Sequence, residues 1–223
     1  MTEARDPTRI PSLPDDPFAP LRSKSWLTEA QRKAIHIAAV ILPLGLLYQW
    51  LPWPRGRGQW AVFLIALTVT AISIDVIRIH DRRVREFFRR FFGQMIREHE
   101  DLNLLGSTYL LIAAVLAIEI FPRPIAAAAI GFTVLGDGVA ALVGKAYGRT
   151  RIFNKSVEGA AGGLVACLAW ASFLAVAGFL PWPVVIAGAL IASLVELLPI
   201  PLDDNLGITL VSGFLMRFLW GAP

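Results

Sequence analysis

Long apolar runs separated by short polar stretches constrain this chain more than any other feature. They fall roughly at 34–53, 59–79, 104–121, 124–144, 159–180, 182–199 and 207–220. A helix needs about 20 apolar residues to cross about 30 Å of hydrocarbon, and in lipid only helices and closed barrels satisfy every backbone polar group. Runs of this length predict helices rather than barrel strands. With 56% hydrophobic and 17% charged residues over 223 positions and a mean hydropathy of +0.60, the chain is too apolar for an ordinary soluble domain of its size. The expected fold is all-α: a polytopic membrane bundle of about seven transmembrane helices with a cytoplasmic amphipathic helix. Asp137 interrupts the fourth run and the seventh is short, so six spans are the alternative.

Basic residues orient the bundle. With the N-terminus inside and seven spans, the inner segments carry Arg5, Arg9, Arg22, Lys24, Arg32 and Lys33, then Arg78, Arg82, Arg83, Arg85, Arg89, Arg90 and Arg97, then Lys145, Arg149, Arg151 and Lys155. Outside lie Arg55, Arg57 and Arg123, with Arg217 near the outer end of the last span. The positive-inside rule therefore predicts a cytoplasmic N-terminus, and the expected location is the inner (cytoplasmic) membrane with the active site on its cytoplasmic side. The same distribution explains the net charge of +4 without nucleic acid as a partner.

Residues 1–30, with Pro7, Pro11, Pro14, Pro17 and Pro20 and no continuous apolar run, read as a flexible cytoplasmic tail ahead of a catalytic domain at 31–223. The tail lacks the pattern of a cleavable signal peptide. Cys167, the single cysteine, excludes an intrachain disulfide and a cysteine-based zinc site, and is expected to face lipid or to pack. Between Ile79 and Leu102, Val84, Phe87, Phe88, Phe91, Phe92, Met95 and Ile96 recur at helical spacing among arginines. This pattern suits an amphipathic helix in the headgroup layer or a solvated connector whose phenyl rings pack on neighbouring spans. Gly144 and Gly148, then Gly159 and Gly163, stand four apart, a spacing that allows close helix approach.

Ionisable groups in or beside spans are costly and mark partners, substrates or ions. Lys33 and His36 lie one turn apart at the inner end of the first span, and Asp75 and Arg78 are spaced to pair on one helical face. Anchoring and a local ion pair are the plain structural readings. The densest signal is Gly136-Asp137-Gly138 followed by Lys145. Glycines permit close backbone approach, and a carboxylate beside a polar pocket can hold Mg²⁺ together with phosphates. Pairing of Asp137 with Lys145 or an arginine is the alternative. In Asn154-Lys155-Ser156-Val157-Glu158-Gly159, Asn154 or Ser156 can cap the fifth span, and a helix N-terminus preceded by lysine can bind phosphate. Glu196, Asp203, Asp204 and Asn205 bring further oxygen ligands to the same face. No Walker A loop, protein-kinase signature, Gly-x-Ser-x-Gly elbow or His-Glu-x-x-His site occurs.

Taken in order, Arg32-Lys33-Ala34-Ile35-His36, Asp75-x-x-Arg78, Gly106-Ser107-Thr108-Tyr109, Gly136-Asp137-Gly138-Val139-Ala140-Ala141, Lys155-Ser156-Val157-Glu158-Gly159 and Glu196 with Asp204-Asn205 resemble the dolichol kinase, phytol kinase and CTP-dependent diacylglycerol kinase family. The resemblance covers nearly all of the membrane region and rests on order and spacing. It implies a CTP- and Mg²⁺-dependent kinase that phosphorylates the hydroxyl of a membrane lipid alcohol, a polyprenol, phytol or diacylglycerol. It further implies Asp137, Glu158 and Asp204 at metal and phosphates, Lys33, Gly136, Gly138, Lys145, Lys155 and Ser156 on the nucleotide, and Asp137, Lys155 and His36 in catalysis. Asp137 is either metal ligand or base for the lipid hydroxyl. Asp75, Arg78, Glu196 and Asn205 complete the candidate set. Gly138 stands where many relatives have a hydroxyl or small residue, so the resemblance does not carry over a hydrogen bond at that position. The rival activities are a cytidylyltransferase joining CTP to phosphatidate, and a small transporter.

Overall fold

The computed structural model describes residues 24–50, 52–92, 102–153 and 155–221. Most of the proline-rich tail, residues 93–101 with Met95 and Ile96, and the candidate cap Asn154 lie outside the described residues. The described chain is helical almost throughout: α1 (Lys24–Ala38), α2 (Ile41–Tyr48), α3 (Gly56–His80), α4 (Arg82–Phe92), α5 (Gly106–Ile120), α6 (Arg123–Phe132), α7 (Gly138–Tyr147), α8 (Val157–Val176), α9 (Trp182–Leu197) and α10 (Asp204–Trp220). Helix α1 takes in residues 24–30, which the sequence assigns to the tail. One feature lies outside an all-α expectation, an antiparallel pair between β1 (Arg151–Ile152) and β2 (Lys155–Ser156), registered Arg151 to Ser156.

Among the described residues, four helical stretches are long and apolar enough to cross a membrane: Trp26–Tyr48, Gly56–His80, Arg123–Tyr147 and Val157–Val176. Two of them are interrupted. Between α1 and α2, Pro43 has no N–H for the carbonyl of Ala39, and proline in a helix interior breaks the ladder at that point. Between α6 and α7 the run widens into a π turn at Thr133–Asp137. Two shorter apolar helices, Gly106–Ile120 and Trp182–Leu197, pack among them.

Helix α6 is the axis of the bundle. Ile125 to Phe132 are all buried on it, and its alanines let α2, α5, α9 and α10 approach. Outward faces are apolar too: Val62, Ile65, Val69 and Ile77 on α3, Val165 on α8 and Phe218 on α10 are exposed. A helix apolar on both faces fits burial on one side and lipid on the other.

Helices α7 and α8 meet through glycine. A Cβ on Gly159 would stand 2.8 Å from the Ala140 carbonyl oxygen, and one on Gly163 would stand 3.0 Å from that of Gly136. The four-residue glycine spacing thus becomes close backbone contact, as small-residue motifs allow. Cys167 is buried in the same region and donates toward the Phe132 carbonyl at 3.7 Å, which selects packing over lipid exposure.

The two ends of the bundle differ in chemistry. At one end, Arg57 donates to the Glu119 carbonyl and Arg217 to that of Ile120, satisfying the C-terminus of α5. Tyr48, Trp50, Phe173 and Phe179 form ring contacts at the ends of α2 and α8. The opposite end gathers the ionisable residues.

Candidate functional site

Asp137 closes the π turn. Such turns leave helical backbone groups without their usual partners and recur at functional sites. This one is fastened by the Thr133 hydroxyl, 2.7 Å from that of Thr209 on α10. Asp137 meets α1, where Lys33 Nζ donates to Oδ2 and His36 Nε2 lies 3.5 Å from the same oxygen. The spacing of Lys33 and His36 by one turn puts both on the α1 face that packs on α7. Among the described residues His36 Nε2 has no hydrogen-bond partner.

A second charged group stands where β2, α9 and α10 converge. Lys155 donates from Nζ to Asp204 Oδ2 at 3.0 Å and to the Glu196 carbonyl, with Glu196 Oε1 at 3.4 Å. Burial works against the Lys155 charge, but the Asp204 and Glu196 carboxylates outweigh it and hold the ammonium above the usual lysine range. Asp203 caps α10 by accepting from the Asn205 N–H at 2.9 Å and from Asn205 Nδ2 at 2.8 Å. Burial pushes the Asp203 carboxyl above its usual range, against the pull of those two bonds. Asn205, 7% exposed, also donates to the Gly106 carbonyl at 3.3 Å, and its Oδ1 has no partner among the described residues. Asp137 is close enough to act electrostatically on Lys155, Glu196 and Asp203, which joins the two groups.

Lys33, His36 and Asp137 of the first group and Asp203, Asp204 and Asn205 of the second border one cavity of about 690 Å³, with Lys155 and Glu196 outside its lining. Its polar lining comes from Arg32, Lys33, His36, Asp137, Asp203, Asp204 and Asn205. Its apolar lining comes from Ile35, Leu42, Leu104, Leu110 and Leu111, with Phe88 and Phe92 of α4. Asn103, Ser107 and Tyr109 complete the wall at the start of α5. Phe88 and Phe92 belong to a helical stripe visible in the sequence, yet neither they nor Asn103 stand among the sequence-derived site residues. Their part depends on how α4 folds back after α3, which periodicity does not encode.

Asp75 and Arg78 build that wall from behind. Arg78 donates to Asp75 Oδ1 from Nε at 3.3 Å and Nη2 at 3.2 Å, and to the Asn103 carbonyl at 2.6 Å. Asp75 Oδ2 accepts from the Leu105 N–H at 2.9 Å and the Thr108 hydroxyl at 2.7 Å. The pair, 1% exposed on each side chain, thereby fixes the entry to α5.

Other candidate residues stand apart from the cavity lining. Ser156 accepts from the Gly159 N–H at 3.1 Å as the cap of α8. Glu158 accepts from the N–H groups of Arg149 at 3.0 Å and Thr150 at 3.1 Å, holding the loop before β1. Lys145 is exposed on α7. Gly136 and Gly138 make room for protein: a Cβ on them would stand 2.6 Å from Cys167 Sγ and from Ile37 Cγ1.

No family model matches the chain, and no solved structure matches it. Over 142 residues it is 29% identical to an uncharacterized protein of Rickettsia prowazekii (strain Madrid E), covering 62% of this chain and 67% of that relative.

Among the described residues, no group of three or more His, Cys, Asp and Glu side chains is gathered closely enough to hold a metal ion unaided. Mg²⁺ commonly takes one or two carboxylates with waters and substrate phosphates. Asp137, Asp204 and the unpartnered Asn205 Oδ1 offer a donor set of that hard-oxygen type, without Glu158. The cationic Lys33 and Lys155 beside them can take phosphate oxygens.

Proposed function

We propose that the chain is a membrane lipid-alcohol kinase, transferring the γ-phosphoryl group of CTP to the hydroxyl of a polyprenol, phytol or diacylglycerol. One observation carries the reading: a single cavity is lined by Lys33, His36, Asp137 and Asp204 and equally by Ile35, Leu42, Phe88 and Leu111. Such a lining suits a substrate whose polar head must meet phosphate beside an apolar chain. The motif order that resembles the lipid-alcohol kinases supplies the nucleotide and the reaction class. We place seven spans in the membrane, formed by α1 with α2, α3, α5, α6 with α7, α8, α9 and α10. The N-terminus and the charged end are cytoplasmic, in keeping with the arginine distribution.

In this reading Lys33 and Lys155 hold the nucleotide phosphates, while Asp137, Asp204 and Asn205 hold a divalent cation, which neutralises phosphate charge when bound. The lipid oxygen forms a bond to the γ-phosphorus as the bond to the CDP oxygen breaks. With Asp137 on the cation, the hydroxyl proton passes to His36 Nε2, which has no hydrogen-bond partner among the described residues. Asp75 and Arg78 are positioning residues that hold the Asn103–Tyr109 wall.

A matrix of nucleotides against lipid alcohols, assayed with Mg²⁺ on the purified protein, tests the proposal. The expected products are CDP and a lipid monophosphate. Pyrophosphate with a CDP-lipid would instead identify a cytidylyltransferase, and no turnover of any lipid alcohol would reject the kinase reading.

A further inference from the structure

Helix α4 buries none of its residues, although it carries four phenylalanines. Phe87, Phe91 and Phe92 are 55%, 63% and 46% exposed. Their rings meet in tilted pairs along the helix, Phe87 with Phe91 at 4.7 Å and Phe88 with Phe92 at 5.6 Å between centroids. With Val84 they form one apolar stripe. The opposite face carries Arg82, Arg83, Glu86, Arg89 and Arg90, all exposed.

Two further observations say what covers the stripe. Arg85 turns back to the carbonyls of Arg78, at 3.3 Å, and Ile79, so α4 is tied to the C-terminal end of α3, where a membrane-crossing helix ends. Phe88 and Phe92 also line the charged cavity. A basic, aromatic helix at the end of a span has the composition of one that lies in an anionic interface, rings inward and guanidinium groups at the phosphates.

We propose that α4 is a membrane-surface helix seated on anionic phospholipid headgroups, and that in this seat Phe88 and Phe92 form the lipid-side wall of the cavity. The partner is an anionic bilayer surface, selected by the excess of arginine over the single Glu86. The inference is independent of which reaction the cavity performs. Seating orders a wall of the cavity, so lipid headgroup charge controls how the cavity is bounded.

The test uses the full chain in nanodiscs, with a spin label at Phe91→Cys or Glu86→Cys in a Cys167→Ala background. The discs are either phosphatidylcholine alone or a mixture with phosphatidylglycerol. In the anionic discs the label at position 91 should be accessible to oxygen and shielded from a water-soluble nickel chelate, and the label at 86 should show the reverse. Arginine near an anionic surface contributes about a fivefold preference per residue. Arg83→Gln with Arg90→Gln should therefore reduce the inserted population relative to the free one by about 25-fold, and salt should do the same in the parent. Nickel access at 91 in anionic discs would overturn the proposal. So would equal insertion in phosphatidylcholine, or shielding of both positions from both reagents, which is the pattern of a protein partner.

Discussion

Asp75 and Asp137 each bring a carboxylate into the bundle, and their surroundings separate two uses of buried charge. Asp75 is sealed: Arg78, the Leu105 N–H and the Thr108 hydroxyl occupy it, and its side chain is 1% exposed. Asp137 stands at a cavity wall with its side chain 15% exposed, paired to Lys33 and near a His36 nitrogen that has no hydrogen bond among the described residues. A satisfied ionic cluster fixes geometry, whereas a cluster with spare capacity facing a cavity can bind. Sequence spacing alone does not divide them, since both sit in apolar runs near a basic residue.

The largest effect that would test this division is at the sealed site. Asp75→Ala takes the carboxylate from the buried Arg78 and should lower stability by about 3–5 kcal/mol, read as loss of the folded fraction in a detergent unfolding series. An unchanged unfolding midpoint would mean that the sealed cluster is dispensable. Next, Asp137→Asn should reduce turnover by at least about a hundredfold, the scale of losing a preorganised electrostatic group, while the unfolding midpoint stays close to the parent's. Equal damage to stability would erase the contrast between the two carboxylates.

Lys155 and Glu158 sharpen the comparison within one motif. Lys155→Ala should raise the KM for nucleotide about tenfold or more, the scale of a charge-assisted hydrogen bond, with a smaller change in the KM for lipid. Equal changes would remove Lys155 from the phosphates. Glu158→Gln should alter turnover less than about threefold, as surface substitutions do, because Glu158 holds the Arg149 and Thr150 backbone away from the cavity lining. A loss like that of Asp137→Asn would place Glu158 on the metal.

Much of the architecture was legible because lipid-scale helices need long apolar runs. Cluster membership was legible where helical spacing sets it: Lys33 and His36, or Asp75 and Arg78, face together whatever else the chain does. The division of roles was not. Whether Glu158 reaches a metal or a loop depends on how β1 pairs with β2, and whether Gly136 faces a ligand or Cys167 depends on how closely α7 approaches α8. Those are tertiary facts. Phe88 and Phe92 were visible as a stripe, but their place on the cavity follows from the turn between α3 and α4.

The π turn at Thr133–Asp137 also sets the phase of everything after it. A π turn accommodates one residue more than an α turn, and a residue in an α-helix advances the face by about 100°. Removing one residue between positions 133 and 136 would restore ordinary winding and would turn Asp137 and Gly144 together by about 100° relative to α6, away from α1 and α8. The widened turn is thus a phase shifter, matching the face that α6 buries in the core to the face that α7 shows to α1 and α8.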